Sequence, residues 1–261
     1  MSKLLEKLER ISEGSSQPLG FGAAVSRAKV SQMLVIASIP AGNAKLTAFS
    51  EKGGADALLV TVEHLDKEIK NLAKIGRAKA DIPWGVSSET VSKEEIEKLI
   101  EIGCDFVIFA PAKTPAAVLT EEIIGKVLKI DTSLTESLAK AVNRLQLDAV
   151  LIGPSSEEEP PFTVLQMMMY ERLASVTGKH LLATMAPSMS TSDLESLWGL
   201  GVRGIVVDMA VEQPEQRLSE VKEAIQKLPT TRKKSKEKIR ATLSLPRASS
   251  EKVEPEEEEE E

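Results

Sequence analysis

The stretch Gly103-Cys104-Asp105-Phe106-Val107-Ile108-Phe109 decides the fold class, because it joins a predicted helix end to a short apolar run. A glycine at a helix end can adopt a positive φ and close the helix before a strand begins. Related strand starts recur at 54–57, 147–149 and 201–204. The charged residues of the four strand starts are Asp56, Asp105, Asp148 and Arg203, and they are separated by 49, 43 and 55 residues. The recurrence suggests a βαβα unit repeated four times.

Short aliphatic runs alternate with helix-length segments from residue 33 to residue 227. This alternation is typical of consecutive βα units in a parallel sheet, whose buried strands consist of aliphatic residues. Eight units in a chain of 261 residues favour closure, so we predict an α/β fold of the (β/α)8 TIM-barrel type. The predicted strands are 33–38, 57–62, 82–88, 106–110, 127–131, 149–153, 180–186 and 204–208.

The two ends of the chain differ from the barrel pattern. Residues 1–14 are predicted to form an amphipathic helix that packs on the barrel or on a partner, with Leu4, Leu5, Leu8 and Ile11 on one face. The segment 17–24 fits a loop, a strand that caps the barrel floor, or a true first strand. The predicted organisation is therefore an N-terminal helix and capping segment (1–31), the barrel (32–227) and a tail (228–261).

The net charge of −7 is concentrated in the tail, since 251–261 contains eight Glu and one Lys. Residues 228–250 carry seven basic residues against one Glu, so the tail is basic and then acidic. With so few apolar residues it is predicted to be disordered, and its alternative role is that of an interaction segment. An acidic barrel with such a tail is poor evidence for nucleic-acid binding.

Cysteine usage and hydropathy limit the cellular location. Cys104 is the only cysteine, so we expect neither an intrachain disulfide nor a zinc site with several thiolates. No apolar run reaches the ~18 residues of a membrane span, and the first residues lack the apolar core of a secretion signal. We therefore expect a cytoplasmic protein that does not enter the membrane.

Three features resemble aldolase-type TIM barrels: the Gly54-Ala55-Asp56 strand start, the run Lys179-His180-Leu181-Leu182, and Gly201-Val202-Arg203-Gly204-Ile205-Val206-Val207. The layout is nearest to that of nitronate monooxygenases and small keto-acid aldolases, over about residues 33–227. The resemblance implies a site at the C-terminal ends of the strands.

Flavin-binding barrels of this superfamily hold a phosphate with glycine-rich turns after strands seven and eight. Here the corresponding loops, 186–190 and 209–212, contain no glycine, while Pro187 lacks an N–H and Glu212 would repel a phosphate. Ser188 and Ser190 still form a candidate weak anion site. A degenerate FMN-binding barrel is therefore one alternative, and the sequence does not identify a cofactor.

The strongest chemical candidates lie in Val127-Leu128-Lys129-Ile130-Asp131. Period-two alternation puts Lys129 and Asp131 on one face, which points into the barrel if the aliphatic face meets the helices. A lysine there can form a Schiff base or act as a general base, with the carboxylate moving protons. The alternatives are an interior ion pair between the two, or a lysine that reaches solvent.

The position of Lys129 depends on how the strands are counted. Schiff-base members of the superfamily carry their lysine in the sixth strand, whereas Lys129 falls in the fifth predicted strand. It becomes the sixth only if the segment 17–24 is also a strand.

Glu63 and Asp208 end strands two and eight and are further candidate catalytic residues. Together with Asp131 they have the oxygen ligands that Mg²⁺ prefers, but surface-exposed strand ends explain them equally well, and no metal site is predicted. The only histidines, His64 and His180, are placed too far apart for a centre with several imidazoles.

Three functions follow from these residues. The first is a barrel without chemistry that serves as a binding or scaffold protein, with a protein partner or a second copy bound through 1–14 or the tail. The second is a Schiff-base or proton-transfer lyase or aldolase that uses Lys129 and Asp131 on a small oxo-acid. The third is the degenerate FMN-binding barrel.

Overall fold

The computed structural model describes residues 2–13, 31–77, 82–153, 162–187 and 189–229. Its eight parallel strands follow one another around a closed barrel in chain order, and the last strand pairs with the first. The strands are β1 (Leu34–Pro40), β2 (Ala57–Thr61), β3 (Trp84–Ser88), β4 (Phe106–Phe109), β5 (Gly125–Asp131), β6 (Ala149–Gly153), β7 (His180–Met185) and β8 (Val202–Asp208).

Among the described residues, α-helices pack around the outside of this barrel and, in the case of the first one, across its floor. They are α1 (Lys3–Glu13), α2 (Ala44–Lys52), α3 (Leu65–Arg77), α4 (Lys93–Glu101), α5 (Glu136–Val142), α6 (Val164–Val176), α7 (Asp193–Gly199) and α8 (Pro214–Lys227). Between β4 and β5 the connection contains a short 3₁₀ helix, Ala116–Thr120, in place of an α-helix.

The predicted TIM barrel is confirmed, and all eight predicted strands are present. Their ends differ by a few residues: β5 begins at Gly125, two residues before the predicted start, because Gly125 pairs with Phe106 of β4. Pairing of the backbone thus extends a strand beyond the apolar run that identifies it in the sequence. Strand β8 likewise begins at Val202, which pairs with Leu181.

In three of the recurring strand starts, a glycine ends the preceding helix at the barrel floor. Gly54, Gly103 and Gly201 have positive φ values of 74°, 82° and 99°, as expected for residues that end a helix. The Asp56 carboxylate accepts a hydrogen bond from the Val35 backbone N–H at 2.8 Å. Such bonds satisfy backbone donors at the first residues of a strand, where the ladder ends.

The Asp residues of the other two strand starts, Asp105 and Asp148, differ from each other in their partners. Asp148 repeats the contact of the first copy, since it accepts the Lys126 N–H at 2.7 Å. Asp105 instead caps α1: its carboxylate accepts the Ser2 hydroxyl at 2.7 Å and the backbone N–H groups of Lys3 and Leu4 at 2.7 and 2.9 Å. One sequence motif therefore joins neighbouring strands at two positions, Asp56 and Asp148, and fixes a helix at a third, Asp105.

Helix α1 closes the floor of the barrel. Leu4, Leu5 and Leu8 are buried in the same cluster as the inward-facing apolar residues of the strands, among them Phe106. The Phe106 side chain takes the space beside Gly85, where an added Cβ would lie 2.5 Å from the ring. Of the two predicted positions for this helix, on the barrel or on a partner, the structure shows the first.

Some predictions fall on other parts of the chain. The segment 17–24 and the tail from residue 230 onward lie outside the described residues, and the three-part division of the chain stays a prediction. Leu228, assigned to the tail, is buried against the barrel. Cys104 is buried, and burial raises the pKa of its thiol. Among the described residues, each helix is too short or too polar to cross a bilayer.

Candidate active site

A polar layer lies directly above the apolar core, at the C-terminal ends of the strands. Alternation along each strand turns every second side chain inward, so the residue two positions after the last apolar interior residue enters this layer. Its members are mostly small or polar: Ser38, Thr61, Ser87, Ala110, Lys129, Gly153, Thr184 and Asp208, which pairs in register with Ser38. This is the end of a TIM barrel at which active sites are built.

Two observations show contacts between members of this layer on neighbouring strands. The hydroxyls of Ser38 on β1 and Thr61 on β2 lie 3.2 Å apart. On the opposite side, a Cβ added at Gly153 would lie 3.7 Å from the Cε atom of Lys129 and 4.0 Å from the Thr184 hydroxyl. The end of the Lys129 side chain therefore lies inside the barrel mouth, beside a glycine that leaves space next to it.

The partner of Lys129 is Glu89, which follows the last residue of β3. The Lys129 Nζ lies 3.4 Å from Glu89 Oε1, with the two side chains 42% and 56% exposed. The Nζ of Lys113, in the loop after β4, lies 3.8 Å from the other oxygen, Glu89 Oε2. One carboxylate thus contacts two ammonium groups at the mouth, and both contacts are open to solvent.

Asp131 makes different contacts from those proposed with Lys129. Its Oδ1 accepts the backbone N–H of Ser133 at 2.7 Å and also the Ser133 hydroxyl. The following residues are held from outside the barrel, where Arg172 Nη2 donates to the carbonyls of Thr132 and Leu134 at 2.8 and 3.0 Å. Asp131 therefore fixes the loop after β5, a frequent role of Asp at the start of a turn.

Asp208 and Glu63 also lie at strand ends. Asp208 Oδ1 accepts the Ala210 N–H at 2.8 Å, which repeats the loop-fixing contact of Asp131 after β8. Glu63 is exposed two residues after β2. Across the described parts of the chain, no three acidic, histidine or cysteine side chains come together as a metal site would require.

The candidate anion site after β7 is described only in part, because Ser188 lies outside the described residues. The N–H and the hydroxyl of Ser190 donate to Asp193 Oδ2 at 2.8 and 2.9 Å. These donors already bind a carboxylate, whose negative charge opposes the approach of another anion. The geometry around Ser190 therefore favours a capping role over phosphate binding.

Three residues at the mouth had no role in the prediction from the sequence: Glu89, which follows a predicted strand end, and Lys113 and Gly153. The signal that could have identified them is the strand order. Since β3, β4 and β5 are neighbours in a barrel built in chain order, residues just after their ends must converge. The residue types alone, a Glu and a Lys in polar loops, gave no such indication.

Two further titratable side chains lie away from the mouth. Lys126 is buried at 5% exposure, and its ammonium donates to the carbonyls of Leu119, at 3.0 Å, and Glu121. His180 is the first residue of β7 and lies at the floor, where its Nδ1 is 3.1 Å from the Ser12 hydroxyl of α1. Burial lowers the pKa of His180 because it disfavours the charged imidazolium.

Comparisons with known proteins give structural similarity only. No family model matches the sequence, and no curated protein matches it. Mycobacterium tuberculosis tryptophan synthase is 12% identical with a TM-score of 0.56, over 74% of this chain and 92% of that one. The Pyrococcus furiosus tryptophan synthase complex gives 13% identity and 0.55, over 74% and 97%. A protein from Aquifex aeolicus VF5 gives 13% and 0.60, over 86% and 99%.

At these identities the comparisons establish the fold and no specific family. The chain is a closed (β/α)8 barrel, which is the fold that these proteins share with it. Because β8 pairs directly with β1, Lys129 lies in the fifth strand of the barrel and not in the sixth. The activity has to be inferred from the groups at the mouth.

Proposed function

We propose that the barrel forms a reversible Schiff base between Lys129 and a small carbonyl compound, as in lyases and aldolases that cleave or form a bond next to an imine. The observation that carries the proposal is the position of the Lys129 side chain. It projects from the interior face of β5 into the polar layer, with Glu89 at 3.4 Å and an unfilled position at Gly153. A carbonyl compound can approach the amine from the open mouth.

The groups around Lys129 supply the proton transfers that imine formation needs. Glu89 accepts a proton from the ammonium, and the free amine then attacks the carbonyl carbon. A second proton moves from the attacking nitrogen to the carbonyl oxygen, which gives a neutral carbinolamine. The protonated Glu89 returns that proton to the carbinolamine hydroxyl, which leaves as water. The resulting protonated imine draws electrons from the adjacent carbon and so stabilises the carbanion that forms when a bond to that carbon breaks.

Glu89 takes the proton-transfer role in this proposal in place of Asp131. The Asp131 carboxylate already accepts two hydrogen bonds from Ser133, which hold it in its own loop. Within the described parts of the chain, Glu89 contacts the ammonium groups of Lys113 and Lys129. The lysine comes from the fifth strand, but its Cε lies beside β6 at Gly153, so its amine serves the region that a lysine of the sixth strand would reach.

Borohydride trapping tests the proposal. The protein is incubated with pyruvate, 2-oxobutanoate or glycolaldehyde, reduced with cyanoborohydride, and digested for peptide mass spectrometry. We expect a reduced adduct on Lys129 that Lys129→Met abolishes. Lys140→Met is the matched control, because Lys140 is an exposed lysine on α5 that pairs with Glu136 and lies away from the mouth.

Gly153→Val provides a second test that keeps the lysine. The larger side chain would fill the space next to Lys129 Cε, so the adduct yield should fall although the amine is still present. Labelling of Lys129 no greater than that of Lys140 in the wild-type protein would overturn the proposal. Saturable binding of a carbonyl compound without any adduct would identify the barrel as a binding protein instead.

A further inference from the structure

Two ammonium groups share the Glu89 carboxylate at one side of the mouth. Glu89 Oε1 faces Lys129 at 3.4 Å, and Glu89 Oε2 faces Lys113 at 3.8 Å. The three side chains together therefore carry a charge of +1. The nearby Asp131 carboxylate is bound to Ser133, and it is turned to its own loop and does not pair with either lysine in the described structure.

The loop that carries Lys113 is tied at both of its ends. On one side, the Thr90 hydroxyl, next to Glu89, donates to the Lys113 carbonyl at 3.0 Å. On the other side, the buried Lys126 ammonium donates to the Leu119 carbonyl at 3.0 Å, at the 3₁₀ helix that follows. The backbone of Lys113 is therefore held beside β3, and its side chain alone adjusts to a ligand.

We infer that Lys113 recognises a carboxylate on the carbonyl substrate: Lys113 exchanges Glu89 for this substrate carboxylate, and Glu89 keeps its contact with Lys129. This inference rests on the proposed Schiff-base function and names the substrate class as oxo-acids. In a 2-oxo acid the carboxylate is bonded to the carbonyl carbon. A single small molecule can thus meet the Lys129 amine with its carbonyl and the Lys113 ammonium with its carboxylate.

The exchange also explains why two lysines contact one glutamate. Without substrate, Glu89 screens the two ammonium groups from each other. When an oxo-acid is bound, its carboxylate pairs with Lys113, and Glu89 pairs with Lys129 alone, as proton transfer at that amine requires. A neutral ketone has no carboxylate that could compete with Glu89 for Lys113, so Lys113 does not strengthen its binding.

The test compares an acidic and a neutral probe in the full-length protein. Trapping on Lys129 is measured as a function of concentration for pyruvate and for hydroxyacetone. The variants are Lys113→Met, Lys113→Arg and the control Lys98→Met, which removes another exposed lysine that pairs with a carboxylate, Asp66 at 3.9 Å. Intact-protein mass spectrometry gives the half-saturating concentration for each.

We expect Lys113→Met to raise the half-saturating pyruvate concentration by about threefold to fivefold, the effect of a solvent-exposed charge pair. The half-saturating concentration of hydroxyacetone should not change in this variant. Lys113→Arg should keep most of the preference for pyruvate, and high salt should reduce that preference in the wild-type protein. Equal effects on both probes, or none on either, would overturn the role of Lys113 while leaving the Schiff base intact. Absence of wild-type adducts with both probes would overturn the Schiff base and this inference with it.

Discussion

Replacement of Asp105 should release helix α1 from the barrel floor. The Asp105 carboxylate accepts the Ser2 hydroxyl and the backbone N–H groups of Lys3 and Leu4, all at 2.7 to 2.9 Å. Loss of such an N-terminal cap costs about 0.5–2 kcal/mol, and loss of a negative charge at a helix N-terminus costs up to about 1 kcal/mol more. Asp105→Ala should therefore lower the local stability of α1 by roughly 1–3 kcal/mol.

Limited digestion with trypsin measures this release, because Lys7 and Arg10 lie within α1. Cleavage of a locally opened segment follows the population of its open form. A change of roughly 1–3 kcal/mol should then raise the cleavage rate in α1 by about 5- to 150-fold. Asp105→Asn should give a smaller increase, since its amide oxygen still accepts a hydrogen bond.

Asp148→Ala is the matched control for this experiment. Asp148 has the equivalent position in the strand-start motif, but it accepts a strand N–H, that of Lys126. The control should lower global stability without selective cleavage of α1. Equal acceleration in both variants would show that Asp105 acts on the whole barrel, and an unchanged rate in Asp105→Ala would show that it does not hold the helix.

Two further predictions concern the barrel core. Gly85→Ala should destabilise the protein by several kcal/mol in urea denaturation, which is typical of severe overpacking. The reason is that the new Cβ would lie 2.4 Å from the Phe106 carbonyl oxygen. The control Gly199→Ala should have little effect, because its new Cβ would meet no atom within 4 Å. Cys104 should stay unlabelled by iodoacetamide between about pH 7 and 9 in the native protein, because burial raises its pKa and keeps the unreactive thiol form. Rapid native labelling that increases over this pH range would contradict the second prediction.

Local patterns were sufficient to predict the barrel. Each strand is identified by a short aliphatic run, and the helices before β2, β4 and β8 end at a glycine with positive φ. Such features depend on neighbours within a few residues, so they can be recognised in the sequence alone. Strand ends were less accurate, as at Gly125, because pairing with another strand determines where a strand begins.

The candidate site was predicted only in part. Lys129 follows from period-two alternation and does lie in the mouth, but the same alternation suggested Asp131 as its partner. The structure gives Asp131 a local contact with Ser133 and brings Glu89 to Lys129 from 40 residues away. Alternation determines which face of a strand a side chain occupies, and it does not determine the rotamer or which distant loop approaches.

The sequence by itself determined the (β/α)8 architecture, the amphipathic character of the first helix and the presence of a lysine on the inward face of the fifth strand. Only the tertiary structure decided that Asp105 caps this helix, although its motif equivalents Asp56 and Asp148 bind strands, and that Glu89 joins two lysines at the mouth. The physical reason is the range of the interactions. Backbone propensity and apolar periodicity act within one element, whereas hydrogen bonds and ion pairs between elements depend on closure of the whole barrel.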